Sequence, residues 1–113
     1  MDDQIKRRPD RLILFAEGAL SDLANIDNVT AAMWGEVQAE RYLGFLRELF
    51  ATLAEKPSLA ATIEERPELL IFTARYRKRR TSHGHRIIFR EIDNGIEIIR
   101  ILHTAMYWPN YIP

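Results

Sequence analysis

Basic and imidazole side chains crowd into one stretch of the chain, where Arg75, Arg77, Lys78, Arg79, Arg80, His83, His85, Arg86 and Arg90 all fall between positions 75 and 90. The guanidinium fork matches phosphate and carboxylate oxygens alike, so this stretch is predicted to form a surface for a nucleic acid or an acidic peptide. The plain alternative is a solvated loop whose charges aid solubility. His83-Gly84-His85 has the composition of a metal pair. Alternate residues of a strand point to opposite faces, however, and no nearby acid or cysteine completes a ligand set; neither a metal nor another cofactor is expected. His103 follows Arg100 by three residues and could move protons, although a histidine so placed is more often packed or hydrogen-bonded for structure.

The charge balance sets these residues in context. The 16 Lys and Arg match the 16 Asp and Glu over 113 residues, yet the halves differ. Residues 1–70 hold 8 basic against 13 acidic groups and residues 71–113 hold 8 against 3, which gives −5 and +5. A split of this kind implies a basic face turned toward an acidic partner. With 47% apolar and 28% charged residues the chain should fold as a single domain spanning 1–113. Cysteine is absent, so packing alone must stabilise it, as suits a reducing cytoplasm. No run approaches the roughly 18 apolar residues that span a bilayer. Residues 1–9 read as a mobile arm without signal-peptide order, and 104–113 as a C-terminal tail.

The elements that must position these groups follow from periodicity. Arg11-Leu12-Ile13-Leu14-Phe15 predicts a strand. Ala19, Leu23 and Ile26 share one stripe of a helix running from Glu17 to about Trp34, where Gly35 breaks it. Ala39, Leu43, Leu46, Phe50 and Leu53 step by 4, 3, 4 and 3, which predicts an amphipathic helix ended by Pro57. Pro57 to Pro67 reads as a connection with a turn of helix near Ala60–Ile63. Leu69–Arg77, Arg86–Ile92 and Ile96–His103 read as strands, the last two joined through Asp93-Asn94-Gly95 as a hairpin. The result is an α+β fold of order β-α-α-β-β-β, with a helical hairpin on one face of a largely antiparallel sheet and the other face uncovered.

Three blocks then carry a family resemblance. Ala19-Leu20-Ser21-Asp22-Leu23-Ala24-Asn25-Ile26 resembles the A-x-x-D-L-x-x-I helix opening of ParE toxins. Trp34-Gly35, Ala39, Tyr42-Leu43 and then Leu53-Ala54-Glu55-Lys56-Pro57 are similar to the family's W-G-x-x-x-A-x-x-Y-L and L-A-x-x-P. Ile99-Arg100-Ile101-Leu102-His103 with Met106 resembles its closing I-x-R-I-L-H-x-x-M. In order, the blocks cover roughly residues 11–107. The chain departs from the family where Tyr107 follows Met106 and where no R-x-G-x-R-like segment enters the second strand.

The resemblance to the ParE/RelE superfamily implies a curved sheet and a cytoplasmic, plasmid-stabilisation type of toxin. Such a toxin would inhibit DNA gyrase and be silenced by a cognate ParD-like antitoxin in a toxin–antitoxin hetero-oligomer. Antitoxin- or target-binding residues are then expected among Arg75, Arg77, Arg79, Arg80, His83, Arg86, Arg100, His103 and Met106, with no catalytic group. The RelE branch implies an alternative, a ribosome-dependent messenger RNA endonuclease, for which Arg90, Arg100, His103 and Tyr107 would be the set. That chemistry needs a base, a cation and an acid, and a permanently protonated arginine supplies only the cation. A second alternative is a non-toxic interaction protein on the same fold.

Overall fold

A computed structural model describes residues 11–76 and 84–113. Arg77, Lys78, Arg79, Arg80 and His83 of the basic cluster, and the expected arm at 1–9, lie outside the described residues. The chain runs β1 (Leu12–Phe15), α1 (Glu17–Trp34), α2 (Glu36–Glu55), a 3-10 turn (Pro57–Leu59), β2 (Ala61–Ile63), β3 (Arg66–Arg75), β4 (Gly84–Ile92), β5 (Gly95–His103) and a second 3-10 turn (Trp108–Tyr111). No helix among the described residues is long and apolar enough to cross a membrane.

The helical stripe packs as its spacing requires: Ala39, Leu46, Phe50 and Leu53 of α2 are buried and Leu43 packs beside them. From α1, Ala19 and Ile26 join this core, and Ile87, Phe89, Ile96, Ile98 and Ile101 of the sheet close it. Each such aliphatic or aromatic side chain, fully buried, contributes about 1.5–3 kcal/mol. Gly35 alone separates the two helices, at φ 93° and ψ 163°, a backbone region open almost only to glycine.

The five strands lie in the order β1-β5-β4-β3-β2. β1 pairs with β5 in parallel and the remaining pairs are antiparallel, so the sheet is mixed but largely antiparallel. The β4–β5 hairpin turns at Asn94, whose φ is +68°. Gly95 is needed for a reason other than the turn: a Cβ there would overlap the Leu12 carbonyl across the β1–β5 pair. A register shift at Ile88/Phe89 opposes Ile99, a bulge that bends the strand.

Two expectations are corrected. Ala61–Ile63 is a short strand on the edge of β3, and β3 begins at Arg66; helix forms only at Pro57–Leu59, where the proline fixes φ. The second face of the sheet is not bare. Ile63, Leu69, Ile88, Ile99 and Leu102 form a second cluster there, against which Met106, Trp108 and Ile112 of the returning tail pack. The cause is the near-continuous apolar run of β5, which has a side chain to bury on each face.

Candidate partner-binding surface

Beyond Phe15 the chain leaves the sheet edge, with Ala16 N–H donating to the Ile98 carbonyl at 2.9 Å as the last backbone bond of that pair. The exposed edge of β5 then needs another acceptor. Asp22, one turn into α1, supplies it by accepting the Ile101 N–H at 2.8 Å. The same carboxylate holds the Arg100 guanidinium in a fork, through Nε at 2.8 Å and Nη2 at 2.9 Å. The hydrogen bond to Asp22 raises the Arg100 pKa above its ordinary value, and the carboxylate's charge adds to this against the partial burial. Gly18 leaves room for the arginine stem, since a Cβ there would lie 2.9 Å from its Cδ.

Arg100 also reaches the tail, donating from Nη1 to the Tyr111 carbonyl at 3.1 Å, with its guanidinium carbon 5.9 Å from the Tyr111 ring centre. Two further arginines do the same from neighbouring strands. Arg86 of β4 donates to the Thr104 carbonyl at 2.9 Å and to that of Met106 at 3.4 Å. Arg66 of β3 donates to the Pro113 carbonyl. Three strands thus fasten residues 104–113 through main-chain oxygens, while Met106, Trp108 and Ile112 occupy the apolar cluster beneath.

At the far end of the sheet the Tyr42 hydroxyl lies 2.6 Å from His85 Nδ1. Burial pushes the phenol up to about 12, so the hydroxyl stays protonated at neutral pH. His85 meets His103 edge-to-face at 5.4 Å, and Tyr76 and Phe45 close the cluster around Tyr42 at 5.9 and 5.7 Å. His103 Nδ1 accepts the Ala105 N–H at 3.0 Å, which shapes the turn into the tail.

The residues singled out from sequence therefore fall into distinct groups. Arg75 is exposed at the end of β3 beside the His85 cluster, paired in register with Gly84. Arg86, Arg100 and Met106 hold or form the tail, and His103 starts its turn. The alternative nuclease set is not gathered. Arg90 lies opposite Glu97 and pairs with it at 2.7 Å, which places it six residues of β5 from His103, roughly 20 Å at the strand rise. Tyr107 is exposed on the tail. Asp22, Arg66 and Tyr42 organise this surface without having been picked out as site residues; Asp22 and Tyr42 were visible only as letters of the motif blocks.

The ParE toxin family of type II toxin–antitoxin systems (parDE) matches the chain over residues 13–108. Toxin ParE1 of Caulobacter vibrioides is 31% identical over 88 residues, which cover 78% of this chain and 83% of that protein. Among solved structures, the chromosomal ParDE toxin–antitoxin system from P. aeruginosa superposes with a TM-score of 0.65 at 19% identity, covering 82% of this chain and 95% of that one, a likeness of fold. A match over nearly the whole chain, on the fold just described, makes this protein a member of the ParE toxin family.

Proposed function

We propose that this chain is the toxin of a type II pair, that it arrests growth in the cytoplasm by poisoning DNA gyrase, and that a cognate ParD-like antitoxin neutralises it. Family membership supports the pairing with an antitoxin. The observation that carries the choice of target is how the polar side chains are committed. Arg100 is held by Asp22, Arg90 sits opposite Glu97, and His103 supports a turn some 20 Å from Arg90. Cleaving a phosphodiester needs a base, an acid and a cation within hydrogen-bond reach of one phosphate. A protein that acts by gripping its target needs only a surface. Exposed Arg75, which closely precedes the basic residues 77–80 in sequence, suits the acidic segment of an antitoxin.

The test is reconstitution. With purified gyrase and relaxed plasmid, the protein should block supercoiling and trap cleaved DNA, and the antitoxin should reverse both. In a translation mixture it should leave messenger RNA intact. Ribosome-dependent transcript cuts with unaltered supercoiling would overturn the proposal in favour of the endonuclease.

A further inference from the structure

The C-terminal tail leaves the sheet through a turn in which a ring nitrogen stands in for a backbone acceptor. Thr104 N–H still donates to the Gly84 carbonyl at 2.9 Å, one step beyond the end of β5. The next two amides turn back. Met106 N–H donates to the His103 carbonyl at 2.9 Å, and Ala105 N–H donates to His103 Nδ1 at 3.0 Å. A backbone N–H can only donate, so Nδ1 must present its lone pair and the neutral ring carries its proton on Nε2. Protonation puts a hydrogen on Nδ1 as well. Two donors then face each other where the tail begins, and the bond to Ala105 is lost.

The groups around the ring add to this effect. His103 stands opposite His85 in the β4–β5 register, with the rings 5.4 Å apart and edge-to-face. Behind His85, α2 contributes the Tyr42 hydroxyl at 2.6 Å, and Tyr76 packs against Tyr42. Arg75 ends β3, and the Arg86 guanidinium holds the Thr104 and Met106 carbonyls of the same turn. The intervening residues 77–83 carry Arg, Lys and His as their only ionisable groups. An imidazolium at 103 therefore joins a set of cations, which is less favourable in the closed turn than in open water.

What the turn controls is the cover of the second face. Met106 belongs both to the turn and to the packing on Ile63, Leu69, Ile88, Ile99 and Leu102, and Trp108 and Ile112 follow it there. Farther along, Arg100 holds the Tyr111 carbonyl and Arg66 that of Pro113. Between about pH 7.5 and 5.5 imidazoles are the side chains that titrate, so mild acid reaches the tail through its first turn.

We propose that His103 is a pH-sensitive catch on the tail: neutral, it closes residues 104–113 over the second face of the sheet, and protonated, it releases them and uncovers the apolar cluster. The catch operates whatever the cellular target is. Linkage gives its sign and size. The closed turn keeps His103 without its second proton, whereas an open tail lets the ring titrate at the ordinary value of roughly 6.5. Closure is therefore fully present above that pH and weakens as the pH falls below it, by about tenfold between pH 7.5 and 5.5.

The readout is amide protection of Thr104, Ala105, Met106 and Asn110 in the full chain, corrected for the intrinsic pH dependence of exchange. It should drop about tenfold over that interval in the parent chain, with Ile87–Phe89 unchanged. The midpoint of the drop should coincide with the titration of the His103 ring, followed by NMR. Asparagine at this position offers a side-chain oxygen to the N–H two residues on and does not titrate. His103→Asn should therefore keep the tail closed at both pH values. The proposal is overturned by protection in the parent chain that is equal at both pH values, that falls with the titration of His85 instead, or that falls together with Ile87–Phe89. An equal fall in folded His103→Asn would also overturn it. The comparison of midpoints needs no variant, so it decides the matter even if His103→Asn does not fold.

Discussion

The two faces of the sheet are covered by different means. On one, two helices bury a continuous apolar cluster around Leu46, Phe50, Ile87 and Phe89. On the other, ten residues of tail lie over a smaller cluster, and Arg66, Arg86 and Arg100 hold them by their carbonyls. The first cover rests on area and the second on a few charge-assisted hydrogen bonds at partly exposed sites. Stability should therefore reside on the helical face, and the tail should open locally at a fraction of the global unfolding free energy.

Leu46→Ala is expected to give the largest loss, about 2–5 kcal/mol in a denaturant titration, whereas Trp108→Ala on the tail side should cost about 1 kcal/mol. Equal losses would erase the distinction between the faces. Asp22→Ala comes next at about 2–3 kcal/mol, because it strips acceptors from both the Arg100 guanidinium and the Ile101 N–H. A loss no larger than that of an exposed ion pair, below about 0.5 kcal/mol, would show that the edge of β5 does not depend on it.

Alkali should separate the faces in a third way. The Tyr42 phenol titrates at about 12 in the folded protein against 10.0 for the ordinary group, so the folded state disfavours its anion. Its contribution is fully present below pH 10 and is lost as pH rises from 10 toward 12, on the order of 2 kcal/mol. Over that window Tyr42→Phe should have a flatter stability profile than the parent chain. Parallel profiles would contradict the burial of Tyr42. The smallest effect expected is that of Arg86→Gln, about 1 kcal/mol, read as faster amide exchange in residues 104–112 with Ile87–Phe89 unchanged. Faster exchange in both segments would mean that the tail is part of the global unit.

The helical face was the legible one. The 4, 3, 4, 3 stripe of α2 put Leu46, Phe50 and Leu53 in the core, and Asp93-Asn94-Gly95 gave the hairpin, since both signals are local in sequence. What escaped was long-range or carried by main chain. The pairing of β1 with β5 joins residues more than eighty positions apart. β2 has only three residues between two prolines, too few for a period to register. The tail binds through carbonyl oxygens, which every residue possesses, so sequence could not say which arginine would hold it. A hint existed in Ile98-Ile99 and Ile101-Leu102, apolar pairs on either side of Arg100 and hence buried on both faces. At the candidate site, the basic residues were found by type, but the division between Arg86 and Arg100, which hold the tail, and Arg75, exposed at the end of β3, needed the three-dimensional arrangement.

That division supplies the most direct check on the claim that this protein works by holding a macromolecule rather than cutting one. Arg90 and Tyr107 belong only to the nuclease set and lie on the surface, Arg90 in an exposed pair and Tyr107 on the tail. In cells expressing Arg90→Ala/Tyr107→Phe, growth arrest and the accompanying DNA damage should match those of the parent chain, since neither group is needed for gripping. Escape from arrest by a double variant of unchanged melting temperature, with transcript cleavage lost at the same time, would contradict it.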